Sequence, residues 1–199
     1  MSRSLRIAVA DDDPNILSYF RDALGRLGHQ VVTAARSGRE LIAQCRTCRP
    51  ELILTDVQML DMDGIEAAAC VYRDSPIPVI LVSGFHDAKY IARAQENHVL
   101  AYLIKPIQDA DLATAIAIAV SRFDEFQALR QETADLRQAL ADRKVIEQAK
   151  GVLMKQVGLD EQAAFQRLRK LSMDQNRKLI DVAHMVLAAE KAFTPPAKG

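Results

Sequence analysis

Up to about residue 121, short unbroken apolar runs alternate with stretches whose apolar positions recur every three or four residues. Leu5–Ala10, Gln30–Ala34, Leu52–Thr55, Val79–Val82 and Leu100–Ile104 are the unbroken runs. They have the length and β-branched content of strands buried on both faces. Between the first two, Pro14 stands at a natural first helical position, and Ile16, Leu17, Phe20, Leu24 and Leu27 follow at helical spacing until Gly28. Gly38–Arg49, closed before Pro50, Gly64–Arg73 and Asp87–Asn97 read as the next helices. Five strands alternating with helices predict an α/β doubly wound parallel sheet.

After Asp109 the pattern is helical to the end. Ala113–Val120 closes the sheet domain, 1–121, and nothing breaks the helix before Gly151. In a linker over 122–143, Phe126, Leu129, Thr133, Leu136 and Leu140 fall at 3–4–3–4 spacing, a short coiled-coil seam that could pair two copies. The alternative is a rigid linker packed on its own domain. Residues 144–190 read as a three-helix all-α domain: Lys144–Gln156 ending at Gly158, then Asp160–Leu171 and Asp174–Glu190, each opening on an Asp cap. Val145, Ile146, Ala149, Val152 and Leu153 are expected to share a core with Ala164, Phe165, Leu168, Leu179, Val182, Ala183, Val186 and Leu187. Residues 191–199 form a tail, disordered from Thr194.

Charge adds an asymmetry. The whole chain balances 26 Lys+Arg against 26 Asp+Glu, yet 1–121 holds 12 basic and 15 acidic residues while 143–199 holds 11 and 6. An acidic first part and a basic end suit a metal or phosphate site coupled to a polyanion-binding module. No apolar run approaches the ~20 residues of a membrane span, and the start lacks a signal-peptide core, so a cytoplasmic protein with no membrane association is expected. Three cysteines make no disulfide framework. Cys45 and Cys48 form a CxxC inside a helix, and Cys70, His29, His86, His98 and His184 supply no ligand spacing to complete a zinc site.

Four strands end in polar residues at one edge of the sheet: Asp11 and Asp12, Asp56, Ser83, and Lys105. Ligands of open parallel sheets bind beyond these strand ends. Clustered carboxylates do not all ionise cheaply without a cation, and oxygen-only ligands select a hard one such as Mg²⁺. The cation would draw a phosphoryl donor onto Asp56, with Lys105 supplying a second positive charge. An acyl phosphate on Asp56 would pull the Ser83 hydroxyl inward, and Tyr102 could fill the space behind it. Singly, each residue has a plainer role: Asp12 or Asp13 as a helix cap, Ser83 in a turn, Lys105 solvated, Tyr102 in the core. The agreement of four strand ends favours the site. Beyond Asp56 the loop carries Asp61 and Asp63 and closes on Gly64, which can take a positive φ.

Asp11-Asp12, LILTDVQMLDMDG (52–64), Ser83 and AYLIKP (101–106) closely resemble the receiver domain of bacterial two-component response regulators, a flavodoxin-like fold, over about 1–121. The resemblance implies that Asp56 accepts phosphate from a sensor histidine kinase. It also implies that Asp11, Asp12 and Asp56 hold Mg²⁺ with the Gln58 main-chain carbonyl, and that Lys105–Pro106 is cis. Ser83, Lys105 and Tyr102 match the family's switch hydroxyl, lysine and switch aromatic. Leu60 stands where a proline is usual.

The stretch from Arg143 to Leu187 resembles the ANTAR output domain, the match running over about 134–190 and including Ala149-Lys150-Gly151, Ala164-Phe165, Leu168-Arg169, Asn176-Arg177 and Val182-Ala183. Leu171 departs from it where an alanine is usual. The resemblance implies binding to paired hairpins in nascent leader RNA and prevention of termination by the transcription complex. Lys150, Arg169, Lys170, Arg177 and Lys178 are the candidate RNA contacts, to phosphates or loop bases, with Lys150 and Arg177 foremost. With few aromatics here, stacking would fall to arginine planes. For each cation a solvated surface role is the alternative.

The reading is a response regulator, not an enzyme, that forms a homodimer when phosphorylated, through the receiver and the seam of Phe126, Leu129, Leu136 and Leu140. Three rivals differ in class. A DNA-binding regulator would need a basic recognition helix in a helix-turn-helix. An aspartyl-phosphate phosphatase or transferase would need a second acid two residues after its nucleophile, where this chain has Gln58. A protein–protein switch would bind no nucleic acid.

Overall fold

The computed structural model describes residues 3–84 and 99–193. The helix expected over Asp87–Asn97, His86, His98 and the tail from Thr194 lie outside the described residues. The chain divides into two compact units, Met1–Ala128 and Leu129–Gly199.

In the first unit, β1 (Arg6–Ala10), β2 (Gln30–Ala35), β3 (Leu52–Asp56), β4 (Val79–Ser83) and β5 (Val99–Ile104) form one parallel sheet in the order β2-β1-β3-β4-β5. The connections hold α1 (Pro14–Arg26), α2 (Gly38–Cys48) and α3 (Gly64–Asp74). Each has a polar cap from the preceding residue, Asp13, Ser37 and Asp63, accepting an N–H of the first turn. Side chains alternate between the two faces of the sheet. Ile7, Val9, Leu52, Leu54, Ile80 and Val82 pack under Phe20 and Leu24 of α1 and under Leu112, Ile116 and Ala119. Ala8, Ala10, Ile53, Val79 and Leu81 meet Leu41 and Cys45 of α2 and Ile65, Ala68 and Val71 of α3. Within that second layer burial pushes the Cys45 thiol up to about 12, so the CxxC offers no ready thiolate.

The helix α4 runs from Asp109 to Val157, 49 residues without interruption. The helix expected to run unbroken to Gly151 continues through it, joining 113–120, the linker and 144–156 in one helix, because a single glycine among good formers does not end a helix. Its stop is Gly158, at φ +69°, whose N–H bonds the Met154 carbonyl at 3.1 Å. Every side chain from Ala128 to Ala141 is exposed. Bonds one turn apart, Gln131 to Asp135 at 2.9 Å and Gln138 to Asp142 at 2.7 Å, support this stretch.

In the second unit the end of α4 packs with α5 (Glu161–Asp174) and α6 (Leu179–Phe193) around Ala149, Leu168, Val182 and Ala183. Asp160 caps α5, accepting the Ala163 N–H at 2.7 Å. Two expectations are corrected. Asp174 does not open the last helix: it is the final residue of α5, because Ser172 and Met173 continue the helix and the turn comes at Asn176, in the left-handed region at φ +48°. Phe165 is not in the shared core but 41% exposed. Ala164, Leu168 and Leu171, at i, i+4 and i+7, take the inward face. Val152, also expected in that core, is half-buried.

Candidate functional site

The parallel register brings the sequence-selected polar residues to one edge. Ala10 pairs with Thr55, Asp56 with Val82, and Ser83 with Ile104, so Asp11, Asp56, Ser83 and Lys105 stand at or just beyond neighbouring strand ends. The Lys105 ammonium lies 2.7 Å from Asp11 Oδ2 and 2.7 Å from Asp56 Oδ1. Its main-chain N–H bonds the Ser83 carbonyl at 2.8 Å, and the Lys105–Pro106 bond is cis. Asp11 is fully buried, Asp56 and Ser83 nearly so, and Lys105 keeps 25% of its side chain accessible. Asp12 is half-buried and makes no hydrogen bond or ion pair with the described residues. Asp13, by contrast, is spent on α1, accepting the Asn15 N–H at 2.8 Å. Tyr102 is half-buried and packs on the α2–α3 face of the sheet.

Burial raises the Asp56 carboxyl above its ordinary range, with the Lys105 bond and charge pulling the other way and Asp11 adding to the rise. Lys105 feels burial as a lowering influence, but its bonds to Asp11 and Asp56 outweigh it and hold the ammonium above the usual lysine value. One ammonium against two buried carboxylates leaves surplus negative charge. Among the described residues no group of three or more Asp, Glu, His or Cys side chains is placed to hold a metal ion. Mg²⁺ does not require one, since it is bound through one or two carboxylates while keeping several waters. The oxygens of Asp11 and Asp56, joined through Lys105, suit a hard cation that keeps several waters, and Asp12 follows Asp11 uncommitted.

The loop after Asp56 is held closely. The Gln58 N–H donates to Asp56 Oδ2 at 2.5 Å. Gly64 is required here for space, not for the positive φ expected: it opens α3, and a Cβ on it would stand 1.9 Å from the Asp56 carbonyl oxygen. Asp61 and Asp63 turn away from the acid edge. Asp63 caps α3 through the Glu66 N–H at 2.7 Å, and Asp61 accepts the Gly38 N–H at 3.1 Å. Sequence reasoning missed this role of Asp61 because its partner lies 23 residues away. A cavity of about 760 Å³ in the same unit opens at the opposite edge of the sheet, beside Leu5, His29, Ile77, Val120 and Phe123, and shares no residue with the acid site.

In the second unit Arg169, Lys170, Arg177 and Lys178 are exposed. Arg177 reaches Met185 Sδ at 3.7 Å, and Arg169, Lys170 and Lys178 make no ion pair with the described residues. Lys150 is different. Only 8% of its side chain is accessible, and its ammonium bonds Glu147 at 2.8 Å and Glu161 at 2.8 Å, tying α4 to α5. The bonds to Glu147 and Glu161 raise its pKa. In this structure its charge is paired with two carboxylates, whereas the other four candidate cations carry no such pair among the described residues. On the exposed stretch of α4, Phe126, Leu129, Leu136 and Leu140 are 40%, 61%, 59% and 68% accessible.

Comparison with known proteins agrees with both halves. The family model described as response regulator receiver domain matches residues 7–117, and that of the ANTAR domain matches 134–187. The transcriptional regulatory protein PdtaR of Mycobacterium tuberculosis is 34% identical over 182 residues, 92% of this chain and 89% of that protein. The response regulator protein VraR of Staphylococcus aureus is 38% identical over 88 residues, 44% of this chain and 42% of that one. Among solved structures, a response regulator receiver domain protein from Clostridium thermocellum superposes with a TM-score of 0.56 at 27% identity, over 61% of this chain and 98% of its own. The signal receiver domain of a modulated diguanylate cyclase from Desulfovibrio desulfuricans, at 24% identity and a TM-score of 0.58 over 61% of this chain and 98% of its own, shares the fold.

Proposed function

The chain belongs to the response regulators that join a receiver domain to an ANTAR RNA-binding domain, and from that premise we propose that it is a phosphorylation-activated antiterminator. The observation that carries the reading is the Lys105 ammonium shared between Asp11 and Asp56 at the carboxyl edge of the sheet. A carboxylate of Asp56 attacks the phosphohistidine of a sensor histidine kinase; the new bond is O–P, the bond broken is N–P, and the electron pair leaves on the imidazole. Asp11, Asp12, Asp56 and the Gln58 carbonyl would hold Mg²⁺, which neutralises the carboxylates and the charge on the phosphoryl oxygens. Lys105 can leave Asp56 for a phosphoryl oxygen while keeping Asp11. Ser83 then donates to another, and Tyr102 follows. In this reading the protein is a cytoplasmic switch rather than a turnover catalyst. Among the described residues no helix is long and apolar enough to cross a membrane.

The output is a homodimer, joined through the receiver and the α4 seam, that presents two three-helix modules to two hairpins of a leader RNA. Two linked sites raise avidity without any new contact. Arg169, Lys170, Arg177 and Lys178 supply the charge, and the exposed Phe165 ring on α5 adds a stacking face. Gel shifts on a paired-hairpin leader, with and without phosphodonor and Mg²⁺, test this in the wild type and in Asp56→Ala. Binding that rises with phosphodonor only in the wild type is expected. Absence of hairpin binding under every condition overturns the RNA assignment, and equal binding throughout overturns control by Asp56.

A further inference from the structure

The loop from Val57 to Asp63 carries Gln58, whose N–H is bonded to the phosphoacceptor, and its far side rests on α2. Asp61 Oδ1 accepts the Gly38 N–H at 3.1 Å, and Asp61 Oδ2 lies 3.9 Å from Arg39 Nε. Burial would raise the Asp61 carboxyl, but bonds from the Ser37 hydroxyl and from the Gly38 and Arg39 N–H groups overcome it and hold the group below the usual carboxylate range. The ionised form is therefore the one the first turn of α2 selects, as expected of an anion facing unpaired N–H groups at a helix N-terminus. Ser37 already caps that helix through the Glu40 N–H at 3.3 Å, so Asp61 is a second acceptor delivered from a different part of the chain.

The neighbouring contact removes slack. A Cβ on Gly38 would stand 2.7 Å from the Met62 carbonyl oxygen and 2.9 Å from Met62 Cβ, so the absent side chain lets the loop backbone press onto α2. At the end of the loop, the Gly64 N–H bonds the Val57 carbonyl at 3.0 Å. The loop is thus fixed at Asp56 through Gln58, at α2 through Asp61 and Met62, and at its own base through Gly64. Asp61 is the only one of these ties made by a charged side chain to a distant element.

We propose that Asp61 is a positioning residue for the cation site: by fastening the loop to the first turn of α2 it keeps Gln58 in register with Asp56 and so sets how tightly the acid edge takes a divalent cation. This rests on the reading of Asp11, Asp12, Asp56 and the Gln58 carbonyl as a Mg²⁺ site. Asp61 itself touches neither Asp56 nor, in this reading, the cation.

The test uses the full chain with Mn²⁺ as probe, its binding followed by electron paramagnetic resonance and the loop by amide hydrogen exchange. Asp61→Ala should weaken Mn²⁺ by about tenfold, as supporting residues around metal ligands do. It should also speed exchange of the amides from Gln58 to Met62. Asp61→Asn, which keeps an acceptor for the Gly38 N–H but carries no charge, should lose clearly less than Asp61→Ala, since the N–H bond to the loop is retained in its weaker, neutral form. Asp61→Gln, which displaces the acceptor by one methylene, serves with the same expectation as alanine where that variant does not fold. Unchanged Mn²⁺ affinity in folded Asp61→Ala overturns the inference. Equal loss in Asp61→Asn and Asp61→Ala also overturns it, because the effect would then be one of charge alone. Wild type that binds no Mn²⁺ overturns the cation reading beneath it, a result separate from either.

Discussion

Replacing Gly64 by alanine sets two opposed effects against each other beside Asp56. On helix propensity alone the change should help, since alanine is better than glycine by up to about 1 kcal/mol inside a helix. Sterically the new methyl would stand 1.9 Å from the Asp56 carbonyl oxygen, 2.8 Å from Thr55 Oγ1 and 3.0 Å from the Asp56 carbonyl carbon. Ordinary contact begins near 3.4 Å, so backbone and loop must part by about 1.5 Å. No rotamer relieves this, because the obstacle is main chain at the end of a fully buried strand. Overpacking of a tight interior costs roughly 1–3 kcal/mol, and a clash with backbone belongs at the upper end of that range. We expect Gly64→Ala to lose about 2–3 kcal/mol net, on the order of 10 °C in Tm for a domain of this size. Gly25 is the control. It lies in α1 with nothing within 4 Å of an added Cβ, so Gly25→Ala should gain about 0.4–1 kcal/mol. Urea unfolding of both variants beside wild type measures the contrast. Equal stability of the two variants would refute the argument that Gly64 is needed for its missing side chain.

Three further outcomes are expected. Leu136→Lys together with Leu140→Lys should weaken the phosphodonor-driven dimer by more than about a hundredfold in sedimentation, given roughly 1.5–3 kcal/mol for each leucine fully buried; an unchanged dimer would move the interface off α4. Lys150→Met keeps the packed stem but removes the tie between α4 and α5, so it should lower the Tm of the second unit while leaving RNA affinity of the folded protein unchanged; a large loss of affinity with the fold intact would restore Lys150 as a contact. His29 is lowered by burial, and its Nδ1 accepts the Leu5 N–H at 3.3 Å, so the neutral ring is the folded form. The unfolded chain then binds the proton more readily, and stability present above pH ~6.5 is lost as pH falls below it. The Tm gap between wild type and His29→Gln should narrow on going to acid, and a constant gap would sink the assignment.

The acid edge was legible in the sequence because each of its members is fixed by a strand end. Leu52 to Thr55 reads as a buried strand, and parallel register then carries Asp11, Asp56, Ser83 and Lys105 to one side. What was not legible depends on choices that local pattern leaves open. Asp160 and Asp174 look alike as caps, yet Asp160 follows the left-handed Gly158 while Asp174 follows residues already committed to a helix, so the chain turns two residues later, at Asn176. Phe165 leaves its expected place in the core because a three-helix core admits only one stripe of α5, and Ala164 with Leu168 sets that stripe.

The same distinction bears on function. A charge at a strand end has its surroundings dictated by the sheet, whereas Lys150 and Asp61 take theirs from elements that meet only after folding. Glu161 pairs with Lys150, and the Gly38 N–H in the first turn of α2 pairs with Asp61 on the loop after Asp56. The residues that would receive the phosphoryl group are therefore fixed by secondary structure. Those that would govern how well the site holds a cation, or which cations remain for RNA, are fixed by tertiary contacts, so mutations at Asp61 or Glu161 can retune the switch while the acid edge itself stays intact.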